Sequence, residues 1–228
     1  MNPTTNRVYV YGPGPRGDRV LVVADGRDNS TTVGQLGIDG ASIAVDAAAN
    51  RLYVPGFSFP QGARVIGIVD GNDNSVRTIS THLDAWGIAA SAAANRVYMV
   101  AWREPADGQP ATWPRIMTLE ADDSLTTIVE LESAAATHPR AGPWLPICVN
   151  ERGDRLFVAA IGPVRDGMNP LVVAVVDPAA GSVTTVDLGI TSQRNGEPIG
   201  IAAAANIVCV ATTGPTGVLA IVTGLPLS

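Results

Sequence analysis

The sequence contains no lysine: all 15 of its basic residues are arginine, which excludes Schiff-base or lysine general-base chemistry within this chain. Acidic residues outnumber them at 21, for a formal charge of −6. No arginine cluster forms the basic face that phosphate binding requires, so no nucleic-acid partner is expected. Cysteine is confined to Cys148 and Cys209, each inside an apolar run. Two such residues are no disulfide framework and read as buried thiols. No apolar stretch of about 20 residues could span a bilayer. The opening "MNPTTNRVYV" lacks the basic and apolar regions of a secretory signal, so none is expected and no membrane insertion either. A P-loop, a dinucleotide fingerprint, a nucleophile elbow and a paired CxxC array are all missing.

What is present is a repeat. The stretch "VDAAANRLYVPG" at Val45 to Gly56 returns 45 residues later as "ASAAANRVYMVA". The core of the repeat occurs five times, beginning at Asn6-Arg7, Asn50-Arg51, Asn95-Arg96, Asp154-Arg155 and Asn206-Ile207, with spacings of 44, 45, 59 and 52 residues. That period suits a four-stranded propeller blade with loop insertions. Each copy holds short β-rich runs separated by turn chemistry. In the second copy they are "ASIAVD", "NRLYVPG", "RVIGIVDG" and "SVRTIST". The first is small and apolar, as an innermost strand must be, and the last is polar, as an outer edge should be. The turns "DGRDNS", "DGNDNS", "EADDS" and "DPAAGS" supply residues that tolerate positive φ. They lack the distal glutamate of a calcium loop and read as solvated hairpins. An aromatic recurs at one place in four of the five copies, Tyr9, Tyr53, Tyr98 and Phe157, which predicts packing between blades.

The segments "NPTTNRVYV" from Asn2, "SIAVDAAANRLYV" from Ser42, "WGIAASAAANRVYMV" from Trp86 and "VVDPAAGSVTTVDLG" from Val175 resemble the YVTN family of β-propeller repeats. The YVTN tetrapeptide itself is never intact here, and the loops after the "NRVYV" strand are longer than the family pattern. The resemblance implies an all-β fold, a β-propeller of four-stranded antiparallel blades, and a secreted or cell-envelope setting. With strands called a to d from the axis outward, the chain reads as b-c-d, three full blades, and a-b-c: 18 strands, about four and a half blades. The whole of 1–228 is one repeat domain, with blade units at about 1–36, 41–81, 86–131, 144–188 and 198–224. Such an array is part of a larger ring, or a protomer that completes itself as a homo-oligomer through unpaired edge strands.

The a–b and c–d connections are short and uniform, whereas the b–c and d–a connections vary and share one face, where binding residues concentrate. The b–c set begins at Gly12, Phe57, Arg103 and Gly162, and the d–a set at Gly37, Thr81, Ser133 and Thr191. Both histidines lie in d–a loops, each followed by a tryptophan. This predicts a funnel-mouth site of His82, Asp84, Trp86, His138, Arg140, Trp144, Arg194 and Glu197. The competing reading is that two histidines fell in exposed loops by chance. The "RGD" at Arg16 to Asp18 reads as an exposed turn. The preferred function is a binding or scaffold module that presents this face to a protein, peptide or glycan partner, with no cofactor. The alternative is a propeller lyase or lactonase with a histidine and an acid in the funnel, the one reading that calls for a divalent cation. Convergence of His82 and His138, or of either with Asp84 or Glu197, would separate the two.

Overall fold

The computed structural model describes residues 1–14, 18–40, 42–102, 114–120, 122–131, 145–192, 197–204, 207–214 and 217–223. It is a β-propeller array of antiparallel sheets in chain order. Blade one is β1 (Arg7–Pro13), β2 (Arg19–Asp25) and β3 (Thr31–Gln35). Blade two has β4 (Ile38–Gly40) and β5 (Ala44–Asp46) side by side along β6 (Arg51–Ser58), then β7 (Arg64–Asp70) and β8 (Val76–Ser80). Blade three is β9 (Asp84–Ser91), β10 (Arg96–Trp102), β11 (Arg115–Leu119) and β12 (Leu125–Glu130). Blade four is β13 (Ile147–Val149), β14 (Leu156–Ile161), β15 (Pro170–Asp177) and β16 (Ser182–Thr191), and blade five is β17 (Pro198–Ala204), β18 (Ile207–Thr212) and β19 (Leu219–Thr223). Among the described residues the expected count of 18 becomes 19 because the innermost strand of blade two is split.

The split corrects the sequence reading locally. "GIDG" at Gly37, expected as a loop, contains β4, which pairs Ile38 with Ser58 and Gly40 with Gly56. Likewise β6 runs on through Phe57 and Ser58, β9 begins at Asp84 instead of Trp86, and β16 extends through Thr191. Backbone pairing continued further than the side-chain pattern signalled, because small and polar residues at these ends still have N–H and C=O groups to satisfy.

The repeated corner between the innermost and second strands has one construction. Asn2, Asp46 and Asn150 each turn a side-chain oxygen back on the following backbone: Thr4 N–H donates to Asn2 at 3.0 Å, Ala48 N–H to Asp46 at 3.0 Å, and Asp154 N–H to Asn150 at 3.1 Å. Ser91 accepts from Ala94 N–H at 3.1 Å. All four are buried. The corner closes on Asn6, Asn50 and Asn95 at φ of 54°, 50° and 50°, a left-handed conformation that asparagine tolerates. The c–d hairpins show the predicted positive φ at Asn29, Asn74, Asp123 and Gly181. Their carboxylates are engaged with the turns themselves: Ser30, Ser75 and Ser124 N–H donate to Asp28, Asp73 and Asp122. Gly71 N–H donates to Asn50 O at 2.8 Å, and a Cβ at Gly71 would lie 2.7 Å from that same oxygen. The c–d turn can meet the a–b corner this closely only with glycine there.

Packing follows the repeat. Within each second strand, alternate residues face opposite neighbours. Tyr9 packs in the junction of blades one and two, Tyr53 in that of two and three, Tyr98 in that of three and four, and Phe157 in that of four and five. The flanking aliphatics face backwards into the preceding junction, as Leu52 and Val54, Val97 and Met99, Leu156 and Val158, and Val208 and Val210 do. Full burial of each such side chain contributes roughly 1.5–3 kcal/mol. The aromatics are therefore the keystones of blade stacking that the sequence predicts. Cys148 and Cys209 are free thiols and are half-buried, not fully buried as expected.

Candidate functional site

In each of the first three blades the c strand, which is β2, β7 and β11, opens on an arginine: Arg19, Arg64 and Arg115. At the loop-bearing end of the array, the first two reach across to the innermost strand of the next blade. Arg19 Nε lies 2.6 Å from Asp39 Oδ1, and Arg64 Nε lies 2.6 Å from Asp84 Oδ1. Arg115 instead meets Glu130 of its own blade at 3.2 Å.

Between blades one and two this end forms a cleft of about 600 Å³, lined by Pro13, Asp18, Arg19, Gln35, Ile38, Asp39 and Phe59 among others. Its wall combines the Arg19–Asp39 ion pair with a Gln35 Nε2–H donated to Asp18 Oδ2 at 2.5 Å. The second oxygen of Asp18 is buried without a hydrogen-bond partner among the described residues. Phe59 stands on the rim, 77% exposed, on a loop tied down by its N–H to Gly37 O at 2.7 Å. Beneath the cleft Tyr11 Oη donates to Ile38 O at 2.6 Å and accepts from Gly40 N–H at 2.8 Å. Burial pushes this phenol above its ordinary range. The floor is thus tied to Tyr11 by hydrogen bonds on both sides, while the charged and aromatic groups above it are accessible.

The neighbouring seam, between blades two and three, holds three predicted residues. Asp84 is buried and engaged by Arg64. Trp86 is half-buried, edge-on to Phe57 with ring centroids 6.1 Å apart and planes at 63°, while the Arg64 guanidinium lies 5.9 Å from the Phe57 centroid. Ser42 Oγ donates to Trp86 O. His82 is exposed. Glu197, in blade five, is half-buried and held through its backbone by Thr213, whose N–H donates to Glu197 O at 2.9 Å. His138, Arg140, Trp144 and Arg194 lie outside the described residues, as do Arg16 and Gly17 of the RGD. Asp84 and Trp86 are therefore brought into one seam, where both serve packing and pairing. Arg19, Arg64, Asp39 and Phe59 were missed by the sequence reading; the signal available was the arginine before "VLVVAD" and "VIGIVD" in consecutive copies. Among the described residues no group of three or more histidine, cysteine or acidic side chains is placed to hold a metal ion.

No protein-family model matches the chain, and no curated protein matches it. Solved structures do. A chain of a nidogen/laminin complex superposes with a TM-score of 0.65 at 13% identity, covering 93% of this chain and 70% of that one. TolB from Acinetobacter baumannii gives 0.64 at 13% identity, covering 96% and 49%, and hydrazine synthase of Kuenenia stuttgartiensis gives 0.67 at 9%, covering 99% and 70%. At such identities the likeness supports the β-propeller fold alone, and the YVTN resemblance gains no family match.

Proposed function

We propose that the protein is a binding module whose loop-bearing face takes a protein or peptide partner, with a partner side chain seated in the cleft between blades one and two. The observation that carries this is the cleft itself: an apolar floor at Ile38, an exposed aromatic at Phe59, and paired charges at Arg19 and Asp39. An apolar pocket with a few convergent polar groups is the common form of a recognition site, and a few anchors, with aromatic and arginine side chains prominent among them, dominate the binding energy of an interface. The lyase or lactonase reading gains no supporting observation, since Asp84 is committed to Arg64 and His82 is exposed.

The test is selection of peptides from a displayed library on the purified protein, with counter-binding to a Phe59→Ala/Arg19→Glu variant. Selected peptides are expected to lose at least tenfold in affinity, because a truncated anchor costs about 2 kcal/mol or more. Peptides that bind both proteins equally would overturn the cleft as the site.

A further inference from the structure

Five blades have ten flat faces, and eight of them are used in the four internal junctions. The two that remain are the backward face of blade one and the forward face of blade five. Both carry the residues of a junction, exposed.

The two backward-facing residues of the second strand are 1% and 0% exposed in blade two (Leu52, Val54), 3% and 1% in blade three (Val97, Met99), and 0% and 0% in blade four (Leu156, Val158). In blade one the same positions are Val8 and Val10, at 43% and 58%. Val10 pairs with Val22, and Val22 with Val33, so one face carries a row of valines ending at Val33, itself 63% exposed. On blade five, Cys209 stands where the other blades have Tyr9, Tyr53, Tyr98 and Phe157. Opposite it on the third strand is Ile221, 60% exposed, where Val23, Ile68, Thr118 and Val175 are all 8% or less. Leu219, on the same side of that strand, is 62% exposed.

We infer that these two faces are the halves of a fifth junction, made between two copies of this chain, with the forward face of blade five of one seated on the backward face of blade one of the next. The occupant follows from continuity with the internal junctions. In each of the four, a forward face meets a backward face, and among the described residues one face of each kind is left exposed. Faces that differ but complement one another pair head to tail, and such contacts generate rings or filaments. The sequence reading places self-association on unpaired edge strands, which the sheet orders put at β1 of blade one and β19 of blade five. The apolar surface lies on the flat faces. Exposed apolar patches of this kind mark interaction sites.

The experiment is sedimentation or light-scattering mass at tens of micromolar on the full chain, on Val10→Asp, on Ile221→Asp, and on an equimolar mixture of the two variants. Both substitutions fall on exposed side chains, and circular dichroism verifies the fold; Val8→Arg and Leu219→Arg serve as a second pair. Head-to-tail pairing predicts that the wild type is dimeric or larger and that each variant alone is monomeric. The mixture then recovers a dimer, because one variant keeps blade five intact and the other keeps blade one. A monomeric wild type, a Val10→Asp protein that keeps the wild-type mass, or a mixture that stays monomeric would each overturn the inference.

Discussion

Arg64 reaches out of the third strand of blade two to place its Nε 2.6 Å from Oδ1 of Asp84, at the start of the next blade. Arg19 makes the same reach to Asp39 one blade earlier, also at 2.6 Å. The geometries match and the environments do not: the Asp84 side chain is 5% exposed and that of Asp39 is 61% exposed. Removal of Arg64 strands a carboxylate in the interior, whereas removal of Arg19 returns one to water. Arg64→Ala is therefore expected to cost about 2 kcal/mol and Arg19→Ala less than about 1 kcal/mol. Chemical denaturation of the two variants measures both, and equal costs would refute the distinction.

The aromatic keystones differ in their hydroxyls. Tyr98 is 1% exposed, and its replacement by alanine is expected to cost about 3–5 kcal/mol through lost burial and the cavity left behind. The Tyr9 hydroxyl is buried with no hydrogen-bond partner among the described residues. Tyr9→Phe removes a desolvated polar group and should leave stability unchanged or raise it by about 1 kcal/mol. A Tyr9→Phe protein that melts well below wild type would show an unseen partner.

Acid lability follows from the hairpin turns. The side-chain bond from Arg27 leads in holding Asp25 well below the usual carboxylate range, and the hydroxyl and N–H of Ser30, Ser75 and Ser124 lower Asp28, Asp73 and Asp122. Arg77 lowers Asp123. A carboxyl depressed in the folded state contributes stability above its unfolded pKa of about 3.9 and loses it as pH falls through the folded value. The melting temperature should be flat with respect to these groups from neutral pH down to about 5 and fall below about 4. A plateau maintained to about pH 2 would contradict the turn assignments.

Burial pushes the Cys148 thiol up to about 12. Only the thiolate is nucleophilic, so in a Cys209→Ser background the half-buried Cys148 should react with Ellman's reagent at mildly alkaline pH much more slowly in the folded protein than after denaturant is added. Immediate reaction of the folded protein would count against the packing of β13.

The repeat was legible because one physical demand recurs in the first three blades. An asparagine at left-handed φ, an aliphatic facing back, an aromatic facing forward and an aliphatic facing back again read as "NRVYV" or its variant from Asn6, Asn50 and Asn95. Tyr53 and Tyr98 could be assigned to junctions from spacing alone. The cleft was less legible because its parts come from different blades and are joined only across a junction. Asp84 was singled out beside His82 as a candidate funnel acid, but its partner is Arg64, 20 residues back, at the head of a strand that reads as scaffold. Phe57 looked like a loop residue because Gly56 and Ser58 interrupt the alternation, yet its backbone pairs with Asp39 and Arg64.

The central claim is that each repeat is a sheet stabilised by covering both of its flat faces. Residue-resolved amide hydrogen exchange on the Val10→Asp/Ile221→Asp double variant measures this directly. Slowest exchange is expected in the second and third strands of blades two to four, at Leu52 to Val54, Val97 to Met99 and Leu156 to Val158, with faster exchange in blades one and five, which have one covered face each. Equal protection across all five blades, or greatest protection in the outer strands β3 and β8, would contradict it.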